Sequence, residues 1–203
     1  MSRRVFAIIP AAGQGRRMGQ LKQLMPYGEG TMLDAVMDAI LEAPIDGLAL
    51  VTNSVVAERF EDNPEDGLFI EINDDEASEM IDSVRIGLDK LDEEFDLAPA
   101  DGILVLPGDQ PEIRGGIIAT CAESYRLPRI APGILIATYK GQRGHPAIFR
   151  TELLREIETW DDDRGLNALA KLFANEVREL PITTSAMPID VNTPEDYERL
   201  KDK

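Results

Sequence analysis

The hydrophobic and polar positions divide the chain into short apolar runs separated by amphipathic stretches. Val5-Phe6-Ala7-Ile8-Ile9 is a continuous apolar run ended by Pro10, the pattern of a buried strand. Gly28-Glu29-Gly30 is a turn, and Thr31, with Asp34 three residues on, has the form of a helix N-cap. Leu33, Val36, Met37, Ile40 and Leu41 then recur at helical spacing, so 31–42 is expected to be an amphipathic helix with its apolar stripe in the core. Leu48–Val51 reads as a second strand, 55–60 as a short helix stopped by Asn63-Pro64, and Leu68–Ile72 as a third strand.

Residues 79–88 should be helical with Met80, Val84 and Leu88 inward, and Gly102–Leu106 is the clearest buried strand after the first. A helix is expected over 113–125, with Ile117, Ile118 and Cys121 inward. Ile134–Tyr139, a turn over 140–144 and His145–Phe149 have the form of a hairpin. Helical material fills 151–175, and Thr193-Pro194 with Asp196 opens a last helix. Strands alternating with helices predict a doubly wound α/β fold with a mostly parallel sheet and an added antiparallel hairpin. No internal repeat or long linker interrupts the order, so one domain over 1–203 is expected.

Composition narrows the function more than the fold. With 43% hydrophobic residues in 203, the chain can bury a sizeable core. No apolar run is long enough for a signal peptide or a membrane span, so a soluble, cytoplasmic protein without a membrane partner is expected. The single cysteine, Cys121, excludes an internal disulfide and a cysteine-cluster metal site, and the single histidine, His145, removes most zinc chemistry. A net charge of −17 argues against nucleic acid as a partner. The acidic runs at 74–76, 92–94 and 161–163 are read as solvated loops and helix starts rather than metal clusters.

Against that acidity, the segment after the first strand stands out: Pro10-Ala11-Ala12-Gly13-Gln14-Gly15-Arg16-Arg17-Met18-Gly19-Gln20-Leu21-Lys22. Glycines leave backbone N–H groups uncovered for an anion, and Arg16, Arg17 and Lys22 add full positive charge beside them. A polyphosphate fits this combination. It is not held in either of two familiar ways. No Gly-x-x-x-x-Gly-Lys-Ser/Thr occurs, and the third glycine of Gly-x-Gly-x-x-Gly is replaced by Met18. A second feature lies at the end of the fourth strand, in Pro107-Gly108-Asp109-Gln110-Pro111. Taken alone, Asp109 could simply bind turn N–H groups; beside the first loop it offers a hard oxygen ligand for Mg²⁺, which takes such a carboxylate together with phosphate oxygens.

The first stretch resembles the signature of the MobA-like nucleotidyltransferases, which include the molybdenum cofactor cytidylyltransferases and guanylyltransferases. The resemblance implies a single-domain, Rossmann-like three-layer α/β/α fold, that of nucleotide-diphospho-sugar transferases. It implies nucleotide contacts for Ala11, Ala12, Gly13, Gln14, Gly15 and Lys22, and catalytic roles for Arg17, Lys22 and Asp109. Glu79-Met80-Ile81-Asp82-Ser83-Val84-Arg85-Ile86-Gly87-Leu88 keeps part of the family's base-facing motif, where Ser83 is the residue implied to meet the nucleotide. On its own that segment is equally an ordinary helix. Gly144-His145-Pro146 matches the cytidylyltransferase-like members and is implied to border the acceptor; a lone histidine is otherwise a common structural residue. Asp190-Val191-Asn192-Thr193-Pro194 is similar to the family's second metal motif, with Asn192 in place of a carboxylate and Asp190 as a possible helper.

The activity so implied is transfer of a nucleoside monophosphate from a triphosphate to a phosphorylated acceptor, with Mg²⁺ held by Asp109 and Asn192 and pyrophosphate released. Ala11-Ala12-Gly13, where guanylyl members usually have Ala-Gly-Gly, leans toward CTP and molybdopterin. Guanylyl transfer and a sugar-phosphate, alditol-phosphate or other small acceptor stay open, as does a catalytically silent nucleotide-binding accessory protein. A hydrolase built on His145 lacks a Gly-x-Ser-x-Gly elbow.

Overall fold

A computed structural model describes residues 3–13, 20–60, 66–127, 132–160, 164–183 and 193–201. In chain order the strands are β1 (Val5–Ala11), β2 (Pro26–Tyr27), β3 (Gly30–Thr31), β4 (Leu48–Thr52), β5 (Leu68–Ile72), β6 (Gly102–Val105), β7 (Ile134–Tyr139), β8 (Gln142–Arg150) and β9 (Val177–Pro181). The helices are α1 (Met32–Leu41), α2 (Ser54–Ala57), α3 (Met80–Phe95), α4 (Gly115–Arg126), α5 (Thr151–Leu154), α6 (Asn167–Leu172) and α7 (Pro194–Lys201).

A seven-stranded sheet has the order β5-β4-β1-β6-β8-β7-β9, and β2 and β3 form a small separate hairpin. Within the large sheet only β8 runs against its neighbours; every other pairing is parallel. Successive strand residues face opposite sides. Val5, Ala7 and Ile9 therefore pack with α1 and α4, while Phe6 and Ile8 pack with α3. Helices on both faces are why β1 is apolar throughout rather than alternating, and every residue of it is buried. The result is the α/β/α arrangement expected from the pattern.

Local chemistry sets several boundaries. Thr31 Oγ1 accepts from the Asp34 N–H at 3.2 Å, and the Asp34 carboxylate accepts from the Thr31 N–H at 2.8 Å, which starts α1 where the sequence placed it. Thr193 and Asp196 make the same reciprocal bonds at the start of α7. Tyr197 and Leu200 of α7 pack on Met25 and Met32, and the Tyr197 hydroxyl donates to the Pro26 carbonyl at 2.8 Å. This fastens α7 to the segment that leaves the glycine-rich loop. Cys121 is wholly buried in α4, as expected, and burial pushes its thiol up to about 12.

The structure corrects the sequence reading in five places. The turn of the large hairpin is only Lys140-Gly141, both at positive φ (51° and 80°), so β8 begins earlier than expected and lies inside the sheet between β6 and β7. β9 was not foreseen: Val177-Arg178-Glu179-Leu180-Pro181 is a polar edge strand and lacks a buried face. The helical region 151–175 is broken into α5, α6 and two 3₁₀ turns. Met80 is 38% exposed at the start of α3, where Ile81 turns into the core instead, and Ile117 is only partly buried. No helix among the described residues is long and apolar enough to cross a membrane.

Candidate active site

Three chain segments leave the sheet at the carboxyl ends of β1, β5 and β6 and enclose a cleft of about 390 Å³. Such an edge is where open α/β sheets hold ligands. The floor is the turn Pro10-Ala11-Ala12-Gly13. Beside it, Pro107-Gly108-Asp109 comes off β6. Gly108 permits that approach: a Cβ there would lie 2.9 Å from the Ala11 Cβ and 3.0 Å from the Leu33 Cδ1, and its N–H donates to the Pro10 carbonyl at 3.2 Å. Asp109 is thereby delivered to the same cleft as the glycine-rich loop.

Lys22 opens a 3₁₀ turn over Lys22–Leu24. Its Nζ stands 3.8 Å from Asp109 Oδ2, with the two side chains 16% and 32% exposed. That separation is longer than a hydrogen bond, so the pair interacts through charge and can admit phosphate oxygens beside it. Gln23, next in the turn, also lines the cleft; its Nε2 donates to the carbonyls of Ala11 at 2.7 Å and Gly13 at 3.0 Å. Nothing in the local sequence marks Gln23, because both of its partners are distant in the chain.

The facing wall is the segment between β5 and α3. Buried Asn73 organises it: its Nδ2 donates to Ser78 Oγ at 2.7 Å and Ser83 Oγ at 3.3 Å, and its Oδ1 accepts from the Asp75 N–H at 3.3 Å. Ser83 and Met80 line the cleft. So do Asp75, Glu76 and Glu79, which makes part of the supposedly bland 74–76 run a wall of the site. Arg85, the cation of the same motif, is turned elsewhere. It donates to the Ile157 carbonyl at 3.0 and 2.8 Å and to the Trp160 carbonyl at 2.9 Å, tying α3 to the segment after α5.

Ala11, Ala12, Gly13, Lys22, Ser83 and Asp109 are thus brought together. Gly144, His145 and Pro146 are not among the residues lining this cleft. They cross the end of β6 instead, where His145 Nδ1 lies 3.3 Å from the Val105 carbonyl; a carbonyl only accepts, so that nitrogen carries the proton. The Tyr139 hydroxyl donates to the His145 carbonyl at 2.6 Å. Gln14, Gly15, Arg17, Asp190 and Asn192 lie outside the described residues. Among those described, no group of three or more His, Cys, Asp or Glu forms a metal-ligand set; Asp109 contributes one carboxylate.

Residues 7–179 match the family model of the MobA-like NTP transferase domain. The fold is similar to a homolog of Mycobacterium tuberculosis Rv0371c from Mycobacterium sp. strain JC1, with a TM-score of 0.76, 27% identity, and coverage of 100% of this chain and 97% of that one. It is similar also to the manganese complex of Rv0371C from Mycobacterium tuberculosis H37Rv, with a TM-score of 0.75, 25% identity and 98% of both chains covered. A 4-diphosphocytidyl-2C-methyl-D-erythritol synthase shares the fold, with a TM-score of 0.73 at 21% identity over 99% of this chain and 98% of the other. No curated protein matches the sequence. With most of its length covered by the family model, the chain belongs to the MobA-like NTP transferase family and is, with it, a nucleotidyltransferase.

Proposed function

We propose that the cleft transfers a nucleoside monophosphate, CMP foremost, from its triphosphate to a phosphorylated acceptor such as molybdopterin. The observation that carries this reading is the Lys22 ammonium 3.8 Å from the Asp109 carboxylate, beside the Ala11–Gly13 turn. An acceptor phosphate is already ionised. One of its oxygens forms the new bond to the α-phosphorus, the bond to the α–β bridging oxygen breaks, and pyrophosphate leaves with that electron pair. No protein base has to remove a proton, so alignment and charge carry the catalysis.

In this reading Lys22 and Arg17 neutralise charge on the α-phosphate and the departing pyrophosphate, and Ala11, Ala12, Gly13, Gln14 and Gly15 contact the nucleotide. Ser83 faces the base from the opposite wall, and Gly144-His145-Pro146 bounds the acceptor where it crosses β6. Asp109, with Asn192, would hold Mg²⁺, which when bound withdraws charge from phosphate oxygens. The Asp109 carboxylate beside Lys22 suits such an ion, since Mg²⁺ takes one or two carboxylates and completes its shell with phosphate and water. The manganese complex of the related Rv0371C supports a divalent cation. The Ala12 methyl group favours the smaller pyrimidine. We place the enzyme in the cytoplasm as one domain acting on small molecules.

The test is pyrophosphate release from CTP, GTP, ATP and UTP with Mg²⁺, with and without molybdopterin. Release from CTP that depends on molybdopterin is expected. Binding of one triphosphate without release would send the acceptor search to sugar and alditol phosphates, and neither binding nor release would overturn the reading. Ala12→Gly should move the CTP/GTP preference toward GTP; an unchanged ratio would remove the steric argument.

A further inference from the structure

We infer that Gln23 is a positioning residue that holds the glycine-rich turn in its nucleotide-binding form. The inference rests on the proposed nucleotidyl transfer and adds a residue to it. Gln23 is 4% exposed and sits at the edge of the cleft. Both hydrogens of its side-chain amide are used, one on the Ala11 carbonyl at 2.7 Å and one on the Gly13 carbonyl at 3.0 Å. Two carbonyl acceptors also settle which end of the amide faces the turn.

Among the described residues, the turn is otherwise anchored through β1, where Ala11 is buried beside Thr52 and the Pro10 carbonyl accepts from the Gly108 N–H. A Cβ at Gly13 would meet nothing within 4 Å, so side-chain packing does not fix that residue. The Ala11 carbonyl takes one further bond, from Thr52 Oγ1 at 3.2 Å. In a planar trans peptide the N–H runs opposite to the C=O. Drawing the Ala11 carbonyl toward Gln23 and Thr52 therefore fixes the Ala12 N–H in the opposite direction, as an anion-binding turn requires. Gln23 shares its 3₁₀ turn with Lys22, so one side chain ties the backbone dipoles and the cation into a single unit.

Two substitutions separate positioning from packing. Gln23→Met keeps the volume and removes both donors. Gln23→Glu presents a carboxylate to two carbonyl oxygens when ionised, but regains one donor when protonated, and its surroundings favour protonation. Equilibrium binding of the four nucleoside triphosphates with Mg²⁺, alongside thermal melting, is the measurement. Relative to wild type at the same pH, Gln23→Glu should weaken nucleotide binding about tenfold at about pH 8 and only about threefold at about pH 5.5. Gln23→Met should weaken it about tenfold at both, and the acceptor KM should not move. Should Gln23→Met fail to fold, Thr52→Val, which deletes only the second donor to the Ala11 carbonyl, should still cost about threefold. Lower melting temperatures with nucleotide binding within about twofold of wild type at both pH values would overturn the inference. A wild-type protein that binds no triphosphate would overturn the nucleotidyl-transfer reading along with it.

Discussion

β1 and β6 run side by side, and an aspartate–cation pair stands at each end of them. At the amino-terminal end the Val5–Gly102 register sets Arg4 beside Asp101. Asp101 accepts from Arg4 Nε at 3.0 Å, Arg4 Nη2 at 2.7 Å, the Arg4 N–H at 3.1 Å and the Ala98 N–H at 3.0 Å, and its side chain is 5% exposed. The rest of the guanidinium is spent on the carbonyls of Phe95 and Asp96. At the carboxyl-terminal end Lys22 and Asp109 face each other at 3.8 Å across a cleft, both partly exposed. The same two charges are a rivet in one place and an open clamp in the other.

The difference follows from geometry and from the choice of cation. Arginine's planar fork meets a carboxylate along two bonds and keeps the pair closed, whereas the lysine ammonium is a point charge on a flexible stem that phosphate can share. Parallel strands add to this, because their carboxyl ends open into loops while Asp101 is packed under Thr151 and Tyr125, whose hydroxyls donate to its carbonyl. A closed ion pair and an open one beside a cleft thereby stand at opposite ends of the same strands.

The sharpest way to break this contrast is Asp101→Ala. It leaves the partly exposed Arg4 guanidinium without its carboxylate and the Arg4 and Ala98 N–H groups without that acceptor, and about 2–3 kcal/mol of stability should be lost in chemical denaturation. Nucleotide affinity of the protein that stays folded should be unchanged. Lys22→Ala should do the reverse, slowing pyrophosphate release by about a hundredfold or more while stability moves by no more than about 1 kcal/mol. Equal losses of both quantities in either variant would dissolve the distinction. Gly108→Ala tests how finely the clamp is set. Its methyl group must displace Ala11 or Leu33, so about 1–3 kcal/mol of overpacking should appear together with a drop in turnover, and unaltered turnover would show that Asp109 need not be held there.

The smallest effect belongs to an exposed pair of the riveted type. Arg155 Nη2 lies 2.8 Å from Asp92, and that bond, helped by the Leu97 N–H, holds the Asp92 carboxyl below its ordinary value. A lowered carboxyl stabilises the fold fully above its unfolded value and ceases to do so as pH falls through the folded one. With both side chains 36% exposed, the contribution should stay under about 1 kcal/mol. Denaturation of Asp92→Asn should show a deficit near neutral pH that vanishes in strong acid; a deficit constant across the range would rule out ionisation as its cause.

What could be read from the residues alone divides along similar lines. Val5–Ile9, the Thr31–Asp34 box and the α1 stripe were legible because their signals are local and repeat with the period of the element. So were Lys22 and Asp109, which stand in fixed spacing to glycines. β9 was not, since an edge strand with Arg178 and Glu179 has no buried face to leave a pattern. Gln23 and Asn73 were invisible for another reason: each acts through hydrogen bonds to groups its neighbours do not specify. Met80 was assigned inward by period alone, but at the first position of α3 it turns out over the cleft. The Asp75–Glu76 run looked like solvent-facing charge and is both exposed and part of the wall.

The bond from Tyr197 to the Pro26 carbonyl spans 171 positions of sequence. On the ribosome, the strand that leads into Lys22 emerges early, yet the helix that fastens its exit emerges only after every described strand. Until residue 197 is free, Met25 and Met32 lack their cover and the lysine turn has one side open to solvent. The nascent chain can build its sheet as it grows, but the turn that carries Lys22 is covered only after the strands of that sheet are made.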